Sequence, residues 1–205
     1  MIIDSFTGGM FETNCFFLPD SGILIDAPQE TADWLARQGH KVRLLLLTHG
    51  HVDHVWDAAR IQREHGCPVG CHPETVPMVS EPEFFRQYGF ALEVETLIPE
   101  VMITETPRRE LGGVNFQVFE VPGHCPGSLC FFSKEERLVF GGDVLFAGGV
   151  GRWDLPAGDR DLLFTGIRAK LFPLGDDVKV FPGHGPATTI GREKEGNGFV
   201  GEEAG

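Results

Sequence analysis

The feature that most constrains this chain is a cluster of three histidines and an aspartate directly after a buried strand. Residues 42–48 read VRLLLLT, a nearly continuous aliphatic run that is typical of a strand buried on both faces. The segment that follows, HGHVDH, contains His49, His51, Asp53 and His54. Imidazoles and a carboxylate at this density suit a divalent cation. The cluster therefore predicts a metal site at the end of this strand.

Three further candidate ligands stand in the same context downstream. His124, Asp143 and His184 each follow a predicted strand, and each lies beside glycine. Glycine lets the backbone turn sharply and approach a metal closely, which a Cβ atom hinders. Together with the first cluster they make five histidines and two aspartates. This set is large enough for two metal centres, with one carboxylate left to bridge them.

A purely structural zinc site is the main alternative interpretation. Such sites usually have four closed protein ligands, often cysteines. The five cysteines of this chain are scattered, and none has CxxC spacing, so we expect reduced thiols, with Cys67 and Cys71 as ordinary buried ones. The histidines outside the glycine-rich segments are interpreted as ordinary surface or core residues: His40, His65 and His72.

The composition narrows the possible partners. With 17 Lys+Arg against 30 Asp+Glu, the net charge is −13, which disfavours binding to a nucleic acid backbone. No apolar run approaches the roughly 20 residues of a membrane span, and Asp4 stands where a signal peptide carries Lys or Arg. We therefore expect one soluble domain of 205 residues in the cytoplasm, with no nucleic acid or membrane partner.

The hydrophobic pattern predicts a sheet-rich core with helices outside it. A turn at residues 19–22 predicts a hairpin between two early strands. Residues 75–79 and 81–88 are possible short helices, and the 73–89 segment could be a flap. Strands are predicted at 1–6, 14–18, 22–25, 42–48, 115–121, 129–133, 138–140 and 178–181. Helices are predicted at 30–38 and 160–172, with another that ends at Gly66.

At these residues the sequence resembles the metallo-β-lactamase-fold hydrolases, and within them the short glyoxalase II-like group. The family pattern is HxHxDH followed by a single His, a single Asp and a single His, and all seven positions are present in order. The resemblance implies an αββα four-layer sandwich. It also implies a single domain over residues 1–205, with residues 186–205 as a C-terminal tail.

The resemblance also implies a role for each ligand. The first metal would be held by His49, His51 and His124, and the second by Asp53, His54 and His184. Asp143 would bridge the two metals, and Asp53 and Asp143 would act in catalysis by orienting a hydroxide. Asp26 matches a family aspartate that orients a ligating histidine by accepting its other ring proton.

A substrate-binding residue is implied by residues 146–156, which are similar to a GRxDxP segment of the glyoxalase II-like group. In glyoxalase II a basic residue at about the place of Arg152 touches the glutathione part of the substrate. An alternative remains open at this point, since Arg152 could simply pair with Asp154 or Asp159.

The activity that the resemblance implies is hydrolysis of a small-molecule thioester of the S-2-hydroxyacylglutathione type by a metal-bridging hydroxide. The cofactor would be two divalent metal ions, with zinc favoured and iron or manganese as alternatives. One alternative function is a mono-iron persulfide dioxygenase of the same fold, using His49 or His51 with His124 and Asp143. Lactone hydrolysis is another. β-Lactamases of this fold are expected to differ at His54 and Asp143, which disfavours lactam hydrolysis.

Overall fold

The structure is a computed structural model that describes residues 1–81 and 95–202. The chain packs as two compact units, residues 1–103 with 110–114 and residues 104–109 with 115–205. The helix predicted at 81–88 lies, apart from Glu81, outside the described residues. The single domain expected from the sequence stays a prediction.

The first unit contains a six-stranded sheet in the order β1-β2-β3-β4-β5-β6. The pairs β1–β2 and β2–β3 are antiparallel, whereas β3–β4, β4–β5 and β5–β6 are parallel. The strands are β1 (Asp4–Gly8), β2 (Thr13–Leu18), β3 (Ile23–Ile25), β4 (Leu44–Leu46), β5 (Val69–Cys71) and β6 (Val101–Met102). The helices are α1 (Thr31–Gln38), α2 (Val52–Val55), α3 (Ala58–His65) and α4 (Val76–Ser80), with a 3₁₀ turn at Pro73–Thr75.

The centre of this sheet follows from its aliphatic runs. Every residue of β2, β3 and β4 is buried, as the prediction of a strand covered on both faces requires. The predicted hairpin is confirmed, because β2 and β3 pair antiparallel with Leu18 opposite Ile23. Helices α1 and α3 end at Gly39 and Gly66, both in the left-handed region that glycine adopts without steric cost.

The single helix expected to end at Gly66 is interrupted. Asp57 lies between α2 and α3, and its N–H donates to the carbonyl of Ala27 (2.9 Å). Its carboxylate accepts a hydrogen bond from the N–H of Ala32 at 2.9 Å, the first turn of α1. The helix breaks because Asp57 forms hydrogen bonds with the segment around Ala27 and Ala32. These contacts are distant in sequence, so the local pattern does not predict the break. Burial raises the pKa of this carboxyl group above its ordinary value.

The second unit contains a six-stranded sheet in the order β14-β13-β10-β9-β8-β7. Strands β10 and β13 are parallel, and β10–β9, β9–β8 and β13–β14 are antiparallel. The strands of this sheet are β7 (Thr106–Leu111), β8 (Val114–Glu120), β9 (Leu129–Ser133), β10 (Leu138–Gly142), β13 (Lys179–Pro182) and β14 (Thr188–Thr189). A separate two-stranded hairpin comprises β11 (Leu145–Phe146) and β12 (Gly149–Val150).

The helices of the second unit are α5 (Arg160–Gly166) and α6 (Ile190–Gly196). The helix predicted at 160–172 is composite, because α5 continues as a π-helical turn at Ile167–Leu171 and a 3₁₀ turn at Phe172–Leu174. The segment interpreted as a C-terminal tail supplies β14 and α6, and its Ile190 and Val200 lie in the hydrophobic core of this unit. The tail is therefore part of the packed structure. Among the described residues, no helix is long and apolar enough to cross a membrane.

Candidate metal centre

The predicted ligands of the first unit lie at one edge of its sheet. Strands β3 and β4 are parallel, so their carboxyl ends meet at the same edge, where Asp26 follows β3 and Thr48 follows β4. The Thr48 N–H donates to Asp26 Oδ1 (2.8 Å), and the Thr48 hydroxyl donates to Asp26 Oδ2 (2.7 Å). Asp26 is buried and has a left-handed backbone (φ 59°), a conformation in which aspartate is enriched.

Asp26 also determines which ring nitrogens two histidines present. His54 Nδ1 lies 2.8 Å from Asp26 Oδ2, and a carboxylate can only accept, so Nδ1 carries the proton. His49 Nδ1 lies 3.1 Å from the Thr48 hydroxyl oxygen, whose own proton goes to Asp26, so this Nδ1 also donates. Both neutral rings therefore present an unprotonated Nε2, the form in which histidine binds a metal. This arrangement supports the predicted orienting role of Asp26.

The carboxylate of Asp53 is held beside His54. Asp53 Oδ2 accepts a hydrogen bond from the Thr13 hydroxyl at 2.7 Å and lies 3.5 Å from His54 Nε2. Because β2 runs antiparallel to β3, Thr13 at its start lies at the same sheet edge as Asp26. Asp53 also lies in the first turn of α2, where a helix stabilises negative charge.

The imidazoles of this segment pack against one another. The ring of His49 lies 4.8 Å from that of His51 and 4.2 Å from that of His54, measured between ring centroids. Gly50 between them has no room for a side chain, because an added Cβ would lie 2.7 Å from the sulfur of Met78. We name His49, His51, Asp53 and His54 the first ligand set.

The second unit brings three predicted ligands together by the same logic. Strand β8 is antiparallel to β9, and β9 is antiparallel to β10, so β8, β10 and β13 all run in one direction. His124, Asp143 and His184 follow these three strands and therefore lie at one sheet edge. Asp143 Oδ2 is 3.4 Å from the Nε2 atoms of both His124 and His184. We name these three residues the second ligand set.

His124 is oriented by a main-chain group. Its Nδ1 donates to the carbonyl oxygen of Arg152 at 2.8 Å, which leaves Nε2 unprotonated in the neutral ring. The Arg152 side chain points elsewhere, since its guanidinium makes two 2.9 Å hydrogen bonds to Asp154. These bonds raise the pKa of Arg152 and lower that of Asp154. The structure thus shows one of the alternatives for Arg152, the pair with Asp154, and substrate contact stays a prediction.

Each ligand set fits a transition metal by its donor chemistry. The first combines three imidazoles with a carboxylate, and the second combines two imidazoles with a carboxylate. Zinc, iron and manganese all accept this mixture of nitrogen and oxygen ligands. For His49, His54 and His124 the second ring nitrogen is already occupied by a hydrogen bond to an acceptor. Proteins commonly orient metal-ligating histidines in this way.

A pocket of about 170 Å³ lies beside Asp53 in the first unit. Its walls include the side chains of Met10, Phe11, Trp56 and Gln29. Met10 and Phe11 stand in the turn between β1 and β2 and are exposed. The pocket therefore offers mostly apolar contacts next to an acidic side chain, which suits a small organic group.

The histidines interpreted as ordinary residues have local structural contacts. His40 Nε2 lies 3.2 Å from Asp4 Oδ2, and the N–H of Val42 donates to Nδ1 of His65 (3.1 Å). The N–H of Glu74 donates to Nδ1 of His72 at 3.2 Å. All five cysteines are buried, and none of them forms a disulfide. Burial raises the pKa of three of these thiols to about 12: Cys15, Cys71 and Cys130.

Comparison with known proteins decides the family. The model of the metallo-beta-lactamase superfamily matches residues 8–184. The chain belongs to this superfamily. This membership makes it a metallo-hydrolase and confirms the expected fold class. The chain is 36% identical over 199 residues to the hydroxyacylglutathione hydrolase GloC of Haemophilus influenzae, a match that covers 93% of each chain.

Two solved structures extend the superfamily match. The B3 metallo-beta-lactamase BLEG-1 is 31% identical, with a TM-score of 0.87 over 97% of this chain and 99% of that one. TTHA1623, solved in a di-iron-bound form, is 35% identical, with a TM-score of 0.83 over 96% of this chain and all of that one. The expectation that lactam hydrolysis is disfavoured stays a prediction.

Three groups that form hydrogen bonds with the predicted ligands or with Asp26 were not predicted from the sequence: the hydroxyls of Thr48 and Thr13 and the carbonyl of Arg152. Thr48 precedes His49 directly, and a hydroxyl at the end of a strand is the signal that could have found it. Thr13 is distant in sequence from Asp53 and gave no signal. The Arg152 carbonyl could not be found at all, because a main-chain acceptor is independent of residue type.

Proposed function

We propose that the chain hydrolyses thioesters of the S-2-hydroxyacylglutathione type with the help of divalent metal ions. The observation that carries the proposal is the 36% identity to a hydroxyacylglutathione hydrolase along 93% of both chains. The two ligand sets support it, because three of their histidines, His49, His54 and His124, are held in the metal-binding tautomer. A small-molecule thioester is the proposed partner. A cytoplasmic location and the lack of a nucleic acid partner remain predictions.

We assign the metal ligands by the family pattern. His49, His51 and His124 would hold one ion, Asp53, His54 and His184 a second, and Asp143 both. When bound, two divalent ions supply a water molecule with a pKa near neutrality and polarise a substrate carbonyl. Zinc is the proposed metal. Iron has support from the di-iron form of TTHA1623, and manganese suits the same donors.

The residues of the chain position these groups. Asp26 keeps His54 and, through Thr48, His49 in the ligating tautomer. The Thr13 hydroxyl donates to Asp53 Oδ2 and so holds this carboxylate in position to orient a ligand or a water molecule. No side-chain nucleophile is required by this chemistry, which agrees with the inert, buried thiols.

Two features would bind the substrate. The pocket beside Asp53 would take the acyl group, because its walls are mostly apolar. Arg152 would attract the anionic glutathione portion by exchanging its contact with Asp154. That exchange has little energetic cost, since both side chains are about two-thirds exposed.

The experiment is a metal count on freshly purified protein together with a substrate screen. We expect close to two ions per chain and hydrolysis of S-lactoylglutathione. One iron per chain with glutathione-persulfide-dependent oxygen uptake would instead support the mono-iron dioxygenase. Lactones and a β-lactam complete the screen, the latter because of the likeness to BLEG-1. Faster turnover of either compound than of any thioester contradicts the proposed substrate class.

Alanine variants of the ligands test the assignment. Asp53→Ala and Asp143→Ala should each retain less than about a tenth of kcat while the protein stays folded. His72→Ala is the matched control, because His72 lies outside both ligand sets and contacts Glu74 locally. Activity above that level in either aspartate variant, with its metal content intact, would show that these residues are not catalytic.

A further inference from the structure

A buried carboxylate in α6 holds the β11–β12 hairpin. Glu193 is only 3% exposed, and its Oε2 accepts hydrogen bonds from the N–H of Gly148 and from Nδ2 of Asn197, both at 2.8 Å. Its Oε1 accepts from the Thr188 hydroxyl at 2.5 Å. A buried charge is costly unless it is fully hydrogen-bonded. The hydrogen bonds from Gly148, Thr188 and Asn197 therefore offset the cost of burying the Glu193 carboxylate.

Asn197 completes the attachment one turn further along. It is 2% exposed, and its Nδ2 also donates to the carbonyl of Gly149 (2.9 Å). Its Oδ1 accepts hydrogen bonds from the main-chain N–H groups of Phe199 and Val200. The hairpin is thus held at two adjacent residues, one through its N–H and one through its carbonyl. We name Glu193 and Asn197 the C-terminal latch.

The held hairpin leads within a few residues to the acceptor of His124. Arg152 follows Gly149 by three residues, a span of at most about 10 Å. Its carbonyl accepts the Nδ1 proton of His124. Gly151 between them packs without space, because an added Cβ would lie 2.0 Å from the Asp143 carbonyl oxygen and 3.0 Å from the Cβ of His124. A displacement of the hairpin would therefore also displace His124 and Asp143.

We propose that Glu193, supported by Asn197, is a positioning residue for the metal ligand His124. The latch holds residues 148–152 so that the Arg152 carbonyl fixes the His124 ring in its ligating tautomer. This inference rests on the proposed metal-dependent function, because it assigns His124 as a metal ligand. The contacts on which it is argued all lie within the second unit. The alternative is a latch that only stabilises the fold.

The two roles differ in what Glu193→Leu changes. Leucine is close to glutamate in size but accepts no hydrogen bond, so the Gly148 N–H, Asn197 Nδ2 and the Thr188 hydroxyl all lose this acceptor. We expect a folded protein whose zinc affinity, measured by chelator competition on the metal-free chain, falls about 10- to 100-fold. Histidine ¹⁵N NMR of the metal-free protein at about pH 8, where imidazole is neutral, should show a second tautomer at His124.

Ile190→Ala is the matched control. Ile190 lies in the same helix and in the hydrophobic core, so the variant lowers the melting temperature without removing a latch bond. Its His124 signal and zinc affinity should equal those of the wild type. Should Glu193→Leu fail to fold, Asn197→Ala provides the test, because the Glu193 carboxylate keeps Gly148 and Thr188 as donors. This variant should show the same tautomer shift with a smaller loss of affinity.

The proposal is overturned if folded latch variants keep a single His124 tautomer and wild-type zinc affinity. It is also overturned if Ile190→Ala changes both readouts as much as the latch variants do, since the effect would then follow stability alone. Failure of the proposed hydrolase activity is a separate result, because the NMR measurement needs neither metal nor substrate.

Discussion

The sharpest test of the second ligand set is Gly151→Ala. An added Cβ would lie 2.0 Å from the carbonyl oxygen of Asp143, 3.0 Å from its carbonyl carbon and 3.0 Å from the Cβ of His124. The first two are backbone atoms, so no rotamer change relieves the contact. Because the interior is close-packed, the contact can be relieved only if the backbone shifts by roughly 1 Å.

That shift determines the expected magnitudes. Overpacking of this kind costs about 1–3 kcal/mol of unfolding free energy, which urea denaturation of the metal-free protein measures. A displacement of about 1 Å at a reactive centre costs on the order of 100-fold in kcat/KM. We therefore expect a folded variant with weaker zinc binding and about 1% of the thioesterase activity.

Gly141→Ala is the matched control, with the same substitution two residues before Asp143. Its added Cβ would meet only Val180 Cγ1 at 3.8 Å, an ordinary contact, and Gly141 has no positive φ. Its unfolding free energy should stay within about 1 kcal/mol of the wild type. If Gly151→Ala matches this control in stability and in zinc affinity, the close packing of residues 148–152 on the ligands is refuted.

Three further outcomes follow from buried groups. Asp26→Ala should lose about 2–4 kcal/mol in urea unfolding, because the buried donors on Thr48 and His54 lose their acceptor, whereas Asp26→Asn should lose less. The native protein should show no fast-reacting thiol with Ellman's reagent at pH 8, and all five thiols should react in guanidinium. Burial raises the folded-state pKa of Asp57, so its ionisation destabilises the fold as pH rises from 3.8 through that pKa. The stability of Asp57→Asn relative to wild type should therefore increase over this pH range, and a pH-independent difference would contradict this.

The sequence predicted the ligand segments because each directly follows a strand with a strong aliphatic pattern. The strand at Leu129–Ser133 has the predicted bounds, and the hairpin of β2 with β3 was recognised from its turn. Such local patterns carry their own signal. The position of Asp26 next to the histidines then follows from parallel pairing of β3 with β4.

Other elements depend on contacts that no local pattern contains. The break between α2 and α3 arises from the bonds of Asp57 to Ala27 and Ala32. Strands β11 and β12 have two residues each, too few for any periodicity. The sequence predicts a tail at residues 186–205, which contains Glu193 and Asn197. A buried glutamate has the same sequence signal as a surface glutamate, so the contacts of these two residues could not be predicted.

The divided use of Arg152 has a consequence for engineering this protein. Its carbonyl accepts a hydrogen bond from His124, whereas its side chain makes two hydrogen bonds to the exposed Asp154. Every amino acid supplies that carbonyl, so a library at position 152 changes charge and shape without removing the acceptor. The charge and shape of this side chain can therefore be varied while His124 keeps its orientation. The main chain at position 152 orients His124, and the side chain at the same position can be exchanged in a library.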